Sequence, residues 1–182
     1  MKAASRSRRS FVLGCALAAP LGAALASAPV LDAPNVVAIS PRLVTSGQPT
    51  AAALSHLAEL GFGADIYLAP PTVPDAVADE AAIVERQGLA FVNIPIKFNN
   101  PTAADFEAFS AAMAKLGDRK VLVHCQVNLR ASSLVFLHRV IVGKETPEQA
   151  YESVARVWSP GGPWKTLIVS LLQQHHIAFE PY

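Results

Sequence analysis

The sequence predicts a single α/β domain with a largely parallel central sheet. Short strand-like runs alternate with helical stretches along most of the chain, which is the pattern of such a sheet with right-handed crossovers. Val121-Leu122-Val123 is continuously apolar, as expected of a strand buried on both faces. The stretch that follows, Arg130 to Val142, is apolar on most sides and reads as a buried central helix.

Taken in order, Asn35 to Ser40 and Leu43 to Thr45 read as short strands ahead of the turn Ser46-Gly47-Gln48-Pro49. Thr50 is placed to cap a helix in which Leu54, Leu57 and Leu60 recur, with Gly61 ending it. Ala64 to Leu68 is a strand, and the proline-rich link Pro70 to Pro74 leads into a helix expected over Asp75 to Gln87, closed by Gly88. Ala90 to Ile94 is the next strand, and Pro95 to Pro101 a loop. Thr102-Ala103-Ala104-Asp105 has capping-box character, with Phe106, Phe109, Met113 and Leu116 as the buried stripe of its helix. Beyond Gly143, Thr146-Pro147-Glu148-Gln149 opens a helix with a cap and Pro at its first position, and a last helix is expected from Trp164 to His175.

The N-terminus stands apart from this pattern. Lys2, Arg6, Arg8 and Arg9 precede an apolar run from Phe11 to Leu25, and no acid occurs before Asp32. Ser7-Arg8-Arg9-Ser10-Phe11-Val12-Leu13 resembles a twin-arginine export signal, and Ala24 and Ala26 form an Ala-x-Ala cleavage site. Its apolar run is shorter than the roughly 20 residues of a membrane span. Val12-Leu13-Gly14-Cys15 would leave too little apolar core to serve as a lipobox. The expected organisation is a signal at 1–26, a linker at 27–34 and one folded domain at 35–182, exported to a periplasm-like compartment with no stable span after cleavage.

The whole chain carries Lys+Arg 15 against Asp+Glu 14 with only 16% charged residues, which disfavours a disordered tail or a strongly basic nucleic-acid binder. Loss of the four basic signal residues leaves 11 bases against 14 acids and removes Cys15, so Cys125 becomes the lone thiol. An exported protein with one unpaired cysteine needs that thiol either buried or used.

Cys125 falls where an open α/β sheet binds its ligands, beyond the carboxyl end of a central strand and just before a helix, in His124-Cys125-Gln126-Val127-Asn128-Leu129-Arg130. Main-chain N–H groups and the positive end of the helix dipole converge there and favour a thiolate and a bound anion. The planar fork of Arg130 suits two oxygens of a phosphate-like group. A cation at a helix N-terminus is otherwise unfavourable, so an anion explains it better than a pairing role does.

His124-Cys125, a short loop and Arg130 resemble the signature of the cysteine-dependent protein tyrosine and dual-specificity phosphatases. The order of Ser46-Gly47-Gln48-Pro49-Thr50, Gly61-Phe62, Ile94-Pro95-Ile96 and Val121-Leu122-Val123-His124-Cys125 is similar to that of small bacterial members, related to the phosphatase-like domain fused to some β-lactamase-like hydrolases. The resemblance implies that Cys125 attacks phosphorus to form a thiophosphate intermediate. It also implies that Arg130 and the N–H groups of Gln126, Val127, Asn128, Leu129 and Arg130 hold the phosphate oxygens, and that His124 supports the loop. Phosphorylated proteins or small molecules are the implied partners, and no metal, organic cofactor or nucleic acid is implied.

Three departures from the family pattern stand out in the loop and its helix start, and a fourth where the general acid is expected. Four residues separate Cys125 and Arg130 where five are common. Asn128 replaces the usual loop glycine, tolerating a left-handed backbone but expected to add a side chain to the cradle. Ala131 replaces the hydroxyl residue that assists the leaving thiolate, with Ser132 or Ser133 as substitutes. The loop that should carry the general acid reads Lys97-Phe98-Asn99-Asn100, and Asp105, the nearest carboxylate downstream, already has a capping role.

Two other functions fit the same residues. The four-residue loop also resembles that of the rhodanese sulfurtransferases, in which Cys125 would carry a persulfide. The missing acid also fits a non-catalytic module that binds a phosphorylated ligand. Trp158 and Trp164 are expected to pack helices, His56 and His138 to lie on helix faces, and Lys97 to be a solvated loop charge. Adjacent His175 and His176 point apart and make a poor metal site.

Overall fold

The structure, a computed structural model, describes residues 30–182; the expected signal at 1–26 and the first three residues of the linker at 27–34 lie outside them. Five strands form one sheet: β1 (Val37–Ser40), β2 (Leu43–Ser46), β3 (Ala64–Tyr67), β4 (Ala90–Asn93) and β5 (Val121–His124), in the spatial order β1-β2-β5-β3-β4. β5 is central and pairs in parallel with both β2 and β3, β3 pairs in parallel with β4, and only β1 runs antiparallel, against β2.

The helices are α1 (Ala51–Leu54), α2 (Glu80–Glu85), α3 (Ala103–Leu116), α4 (Leu129–Ile141), α5 (Pro147–Ala155) and α6 (Gly162–Gln174). Strand side chains alternate between faces, and the core divides accordingly. Val121, Val123, Ala64 and Ile66 pack against α3 to α6, whereas Val44 and Leu122 pack with Leu54, Leu57 and Val84 on the α1 and α2 side. α4 is the hub of the thicker layer, with Leu134, Val135, Phe136 and Leu137 essentially inaccessible, as its all-round apolar sequence requires. Among the described residues no helix is long and apolar enough to cross a membrane.

Helix ends account for most differences from the sequence expectations. Thr50 accepts the N–H of Ala53 as a cap should, but α1 relaxes into turns after Leu54 and Gly61 ends the segment at φ 79°. α2 starts at Glu80 rather than Asp75, because Pro71 and Pro74 hold the preceding chain in turns and Asp79 enters the helix left-handed at φ 56°. Thr102 and Asp105 form the full capping box of α3. Thr146 makes no side-chain cap, so α5 begins on Pro147 alone.

Candidate active site

β5 ends at His124 and α4 begins at Leu129, and the four residues between them form a tight loop. The Cys125 side chain is inaccessible at the base of this loop, and its N–H is held by the Ser46 carbonyl at 3.3 Å. The N–H groups of Gln126, Val127, Leu129 and Arg130 have no main-chain acceptor among the described residues. Leu129 and Arg130 are in the first turn of α4, whose N–H groups a helix cannot satisfy itself. Four donors therefore remain for an anion, reinforced by the dipole of a 13-residue helix.

Two neighbouring segments fix the loop. Gly47 packs so closely beneath it that a Cβ there would lie 2.7 Å from the Gln126 carbonyl and 2.9 Å from Pro34 Cβ, which accounts for a glycine at this point of the Ser46-to-Thr50 motif. The N–H of Gln48 bonds the same Gln126 carbonyl at 3.0 Å. On the other side Asn128 takes the left-handed conformation at φ 71°, as its replacement of glycine requires. Its side chain does not enter the cradle, contrary to the sequence expectation. It turns back into the fold, where Nδ2 donates to the Asn35 carbonyl at 2.7 Å and to Thr45 Oγ1 at 3.0 Å.

Arg130 is 95% covered, its exposure being 5%, and is held in place by three contacts. Nε donates to the Ile96 carbonyl at 3.0 Å, Nη1 to Gln126 Oε1 at 3.3 Å, and the guanidinium lies 5.2 Å from the centre of the Phe98 ring. Phe98 is positioned in turn by Trp164, whose indole N–H donates to the Phe98 carbonyl at 2.8 Å while the two rings and that of Trp158 cluster. The tryptophans thus pack helices as expected, and they also build one wall of the site. The cavity above the loop has a volume of about 270 Å³ and is lined by Asp75, Phe98, Gln126, Val127, Leu129 and Arg130.

Behind the loop is a buried charge cluster that sequence reading missed. His124 Nε2 lies 2.9 Å from Glu80 Oε1 and 3.3 Å from Asp65 Oδ1, all three side chains being buried. Register explains the convergence: Asp65 pairs with Leu122 and Tyr67 with His124, which places all four on the α2 face of the sheet. The Tyr67 ring stacks on the imidazole at 4.8 Å, and Gln48 Nε2 donates to the second Glu80 oxygen at 3.1 Å.

Burial opposes protonation of His124, but the Asp65 and Glu80 carboxylates outweigh it and lift its pKa to about 10, so it is an imidazolium at neutral pH. Burial raises the Asp65 pKa, only partly offset by His124. Burial, then Glu80 and Asp75, raise that of the Tyr67 hydroxyl, while Arg130 lowers it. Donor atoms of Asp65, Glu80 and His124 lie within 4.8 Å of one another, close enough for a metal ion by spacing alone. The imidazolium offsets one carboxylate charge, and burial favours the protonated form of Asp65.

Other expected roles are taken up differently. The Ser132 and Ser133 hydroxyls both donate to the Leu129 carbonyl, at 3.2 and 2.8 Å, rather than standing free to assist a thiolate. Asp105 Oδ2 accepts from both the N–H and hydroxyl of Thr102 at 2.8 Å and does not line the cavity. His56 contacts Glu59, half-buried His138 meets Ser110, and Lys97, His175 and His176 are exposed.

A family described as DSP-PTPase phosphatase fused to NAD+ kinase matches residues 35–163. The chain belongs to this family. Its fold is that of the DSP/PTP phosphatases. A candidate phosphatase (DUF442) from Shewanella putrefaciens CN-32 is 30% identical with a TM-score of 0.71, the match covering 79% of this chain and 94% of that one. A β-lactamase hydrolase-like protein of Xylella fastidiosa is 37% identical over 114 residues, 60% of this chain but only 26% of the relative, so the chain spans about a quarter of that protein's length. The catalytic domain of a PP-IP phosphatase from S. cerevisiae, 15% identical with a TM-score of 0.62 and covering 80% and 88% of the two chains, shares the fold.

Of the residues singled out from the sequence, His124, Cys125, Gln126 to Leu129 and Arg130 form one continuous segment from the end of β5 through the loop into the first turn of α4. Asp65, Glu80, Gln48, Tyr67, Phe98 and Asp75 are the additions from structure. An acid inside the apolar run Ala64-Asp65-Ile66-Tyr67-Leu68 was the one available signal for the buried cluster.

Proposed function

We propose that the protein hydrolyses phosphate monoesters through Cys125, with the four-residue loop as its phosphate cradle. The observation that carries this reading is the set of unpaired N–H groups on a short loop that runs from a buried thiol to the buried guanidinium of Arg130. In the proposed reaction the Cys125 thiolate attacks phosphorus in line, the S–P bond forms as the ester P–O bond breaks, and a thiophosphate results. Arg130 and the N–H groups of Gln126, Val127, Leu129 and Arg130 hold the equatorial oxygens as charge builds on them. Water then cleaves the S–P bond, releasing inorganic phosphate and restoring the thiolate. The His124 imidazolium, its charge offset by Asp65 and Glu80, supports the loop from behind.

The cavity walls favour an aryl monophosphate, such as phosphotyrosine or a small aromatic metabolite. Phe98 and Val127 are 40% and 45% exposed and apolar, and Arg130 is the lone cation among the lining residues. A densely phosphorylated ligand would need more positive charge than that. The test is release of phosphate from p-nitrophenyl phosphate by the purified protein and by Cys125→Ser. The reading requires turnover that the substitution abolishes; binding of phosphate without turnover would favour a non-catalytic module.

We further propose that the protein acts after export, on the strength of the Arg8-Arg9 signal and the Ala24-x-Ala26 site. Fusing residues 1–30 to a reporter that requires twin-arginine export tests this. Loss of export on Arg8→Lys with Arg9→Lys is expected, and export unaffected by that change would refute it.

A further inference from the structure

Cleaving an unactivated phosphate ester requires a proton for the departing oxygen, and the segment where the family resemblance would place the donor offers no carboxyl group. Lys97, Phe98, Asn99 and Asn100 occupy that loop, and Asp105 behind it is engaged by both Thr102 groups in the capping box. Glu80 and Asp65 are buried on His124, away from the cavity. Among the described residues Asp75 is the one carboxyl group lining the cavity that contains Arg130.

Asp75 reaches this position from a different part of the fold, the proline-bounded link between β3 and α2. It is also connected to the cradle. Its Oδ1 accepts from Gln126 Nε2 at 2.7 Å, and the Oε1 of the same Gln126 accepts from Arg130 Nη1 at 3.3 Å. The hydrogen bond leaves Oδ2 free at the mouth. An in-line attack from buried Cys125 expels the leaving group toward that mouth, since the loop N–H groups and Arg130 occupy the equatorial positions. The Asp75 side chain is exposed, so it retains access to solvent for re-protonation.

We propose that Asp75 is the general acid of this phosphatase, supplied from the β3–α2 link. The inference rests on the phosphatase reading above. In the first step the protonated carboxyl of Asp75 gives its proton to the ester oxygen as the P–O bond breaks and the S–P bond forms, leaving an alcohol and a carboxylate. In the second step the carboxylate takes a proton from the water that attacks phosphorus, the S–P bond breaks with its electron pair returning to sulfur, and phosphate leaves.

The experiment compares wild type, Asp75→Asn, Asp75→Ala and the control Asp79→Asn on p-nitrophenyl phosphate and phenyl phosphate across pH. Asp75→Asn keeps an oxygen that accepts from Gln126, so it removes the proton while retaining the hydrogen bond. The expected result is a loss of about 10²- to 10⁴-fold in kcat/KM, which reports the leaving-group step alone, with phenyl phosphate, whose leaving group is poor, and a much smaller loss with p-nitrophenyl phosphate. The alkaline decline of the wild-type profile should disappear in both Asp75 variants and persist in Asp79→Asn. Equal losses on the two esters, or an unchanged pH profile, would overturn the assignment and reduce Asp75 to a holder of Gln126. If wild type releases phosphate in a Cys125-dependent way while Asp75→Asn matches it, the acid assignment falls and the phosphatase reading stands. If wild type releases none, both fall.

Discussion

The side chain of Asn128 donates to the main-chain carbonyl of Asn35 at 2.7 Å, and the side chain of Asn35 returns a hydrogen bond to the carbonyl of Val127 at 3.0 Å. Both residues hold positive φ, 71° and 50°. This reciprocal pair explains how a loop one residue shorter than the common form, and lacking its glycine, stays open to an anion: the side chain that could fill the cradle serves as its outer tie. Asn128→Gly should retain the backbone conformation but lose the tie, destabilising the fold by about 1–2 kcal/mol for the broken hydrogen bonds. Asn128→Ala should cost about 1–2 kcal/mol more for its left-handed backbone. Urea denaturation of the two variants gives the order directly, and equal stability would contradict the role of φ at this position.

Gly47 makes a complementary contact from below. With a Cβ placed 2.7 Å from the Gln126 carbonyl, Gly47→Ala must displace the loop or the Pro34 segment. A loss of about 1–3 kcal/mol in stability is expected from overpacking, together with weaker vanadate binding. Unchanged vanadate affinity would show that the loop tolerates the shift.

The His124 cluster makes stability depend on pH in a defined direction. Its pKa rises from the ordinary 6.5 to about 10 on folding, so its contribution is complete below pH 6.5 and is lost as pH climbs through about 10. Asp65, also raised, acts in the same sense, because the folded state holds its proton more tightly than the unfolded chain does. Urea midpoints should therefore fall between pH 7 and 10. Glu80→Gln removes one of the two carboxylates that hold the proton and should move this fall to lower pH. A midpoint that rises over this range would contradict the cluster as described.

Trp164→Phe tests the wall of the site. It retains the ring but removes the indole donor to the Phe98 carbonyl, worth about 1 kcal/mol. If Phe98 positions an aryl group, KM for an aryl phosphate should rise more than kcat falls. A change confined to kcat would place the effect on Arg130 instead, through the Phe98 ring that covers it.

Much of this was legible in the sequence because it rests on local rules. The continuous apolar run 121–123 became the central strand, the Thr102 and Asp105 spacing a full capping box, and the His124-to-Arg130 segment one loop. What the sequence did not reveal depends on partners distant in the chain. Glu80 reads as an interior residue of an ordinary helix until sheet register brings His124 to it across 44 positions, and Asp75 reads as a helix residue until Pro71 and Pro74 are seen to hold it at the cavity. The Asn128 side chain was expected in the cradle because nothing nearby in sequence shows that Asn35 waits outside it.

The most direct test is mass analysis of Cys125 after rapid quenching of the protein during reaction, with p-nitrophenyl phosphate in one sample and thiosulfate in the other. A phosphoryl group on Cys125 in the first sample, absent in Cys125→Ser and with no stable sulfur adduct in the second, is the predicted result. A persulfide on Cys125 from thiosulfate, with no phosphoryl adduct and no phosphate release, would contradict the phosphatase account and assign the loop to sulfur transfer.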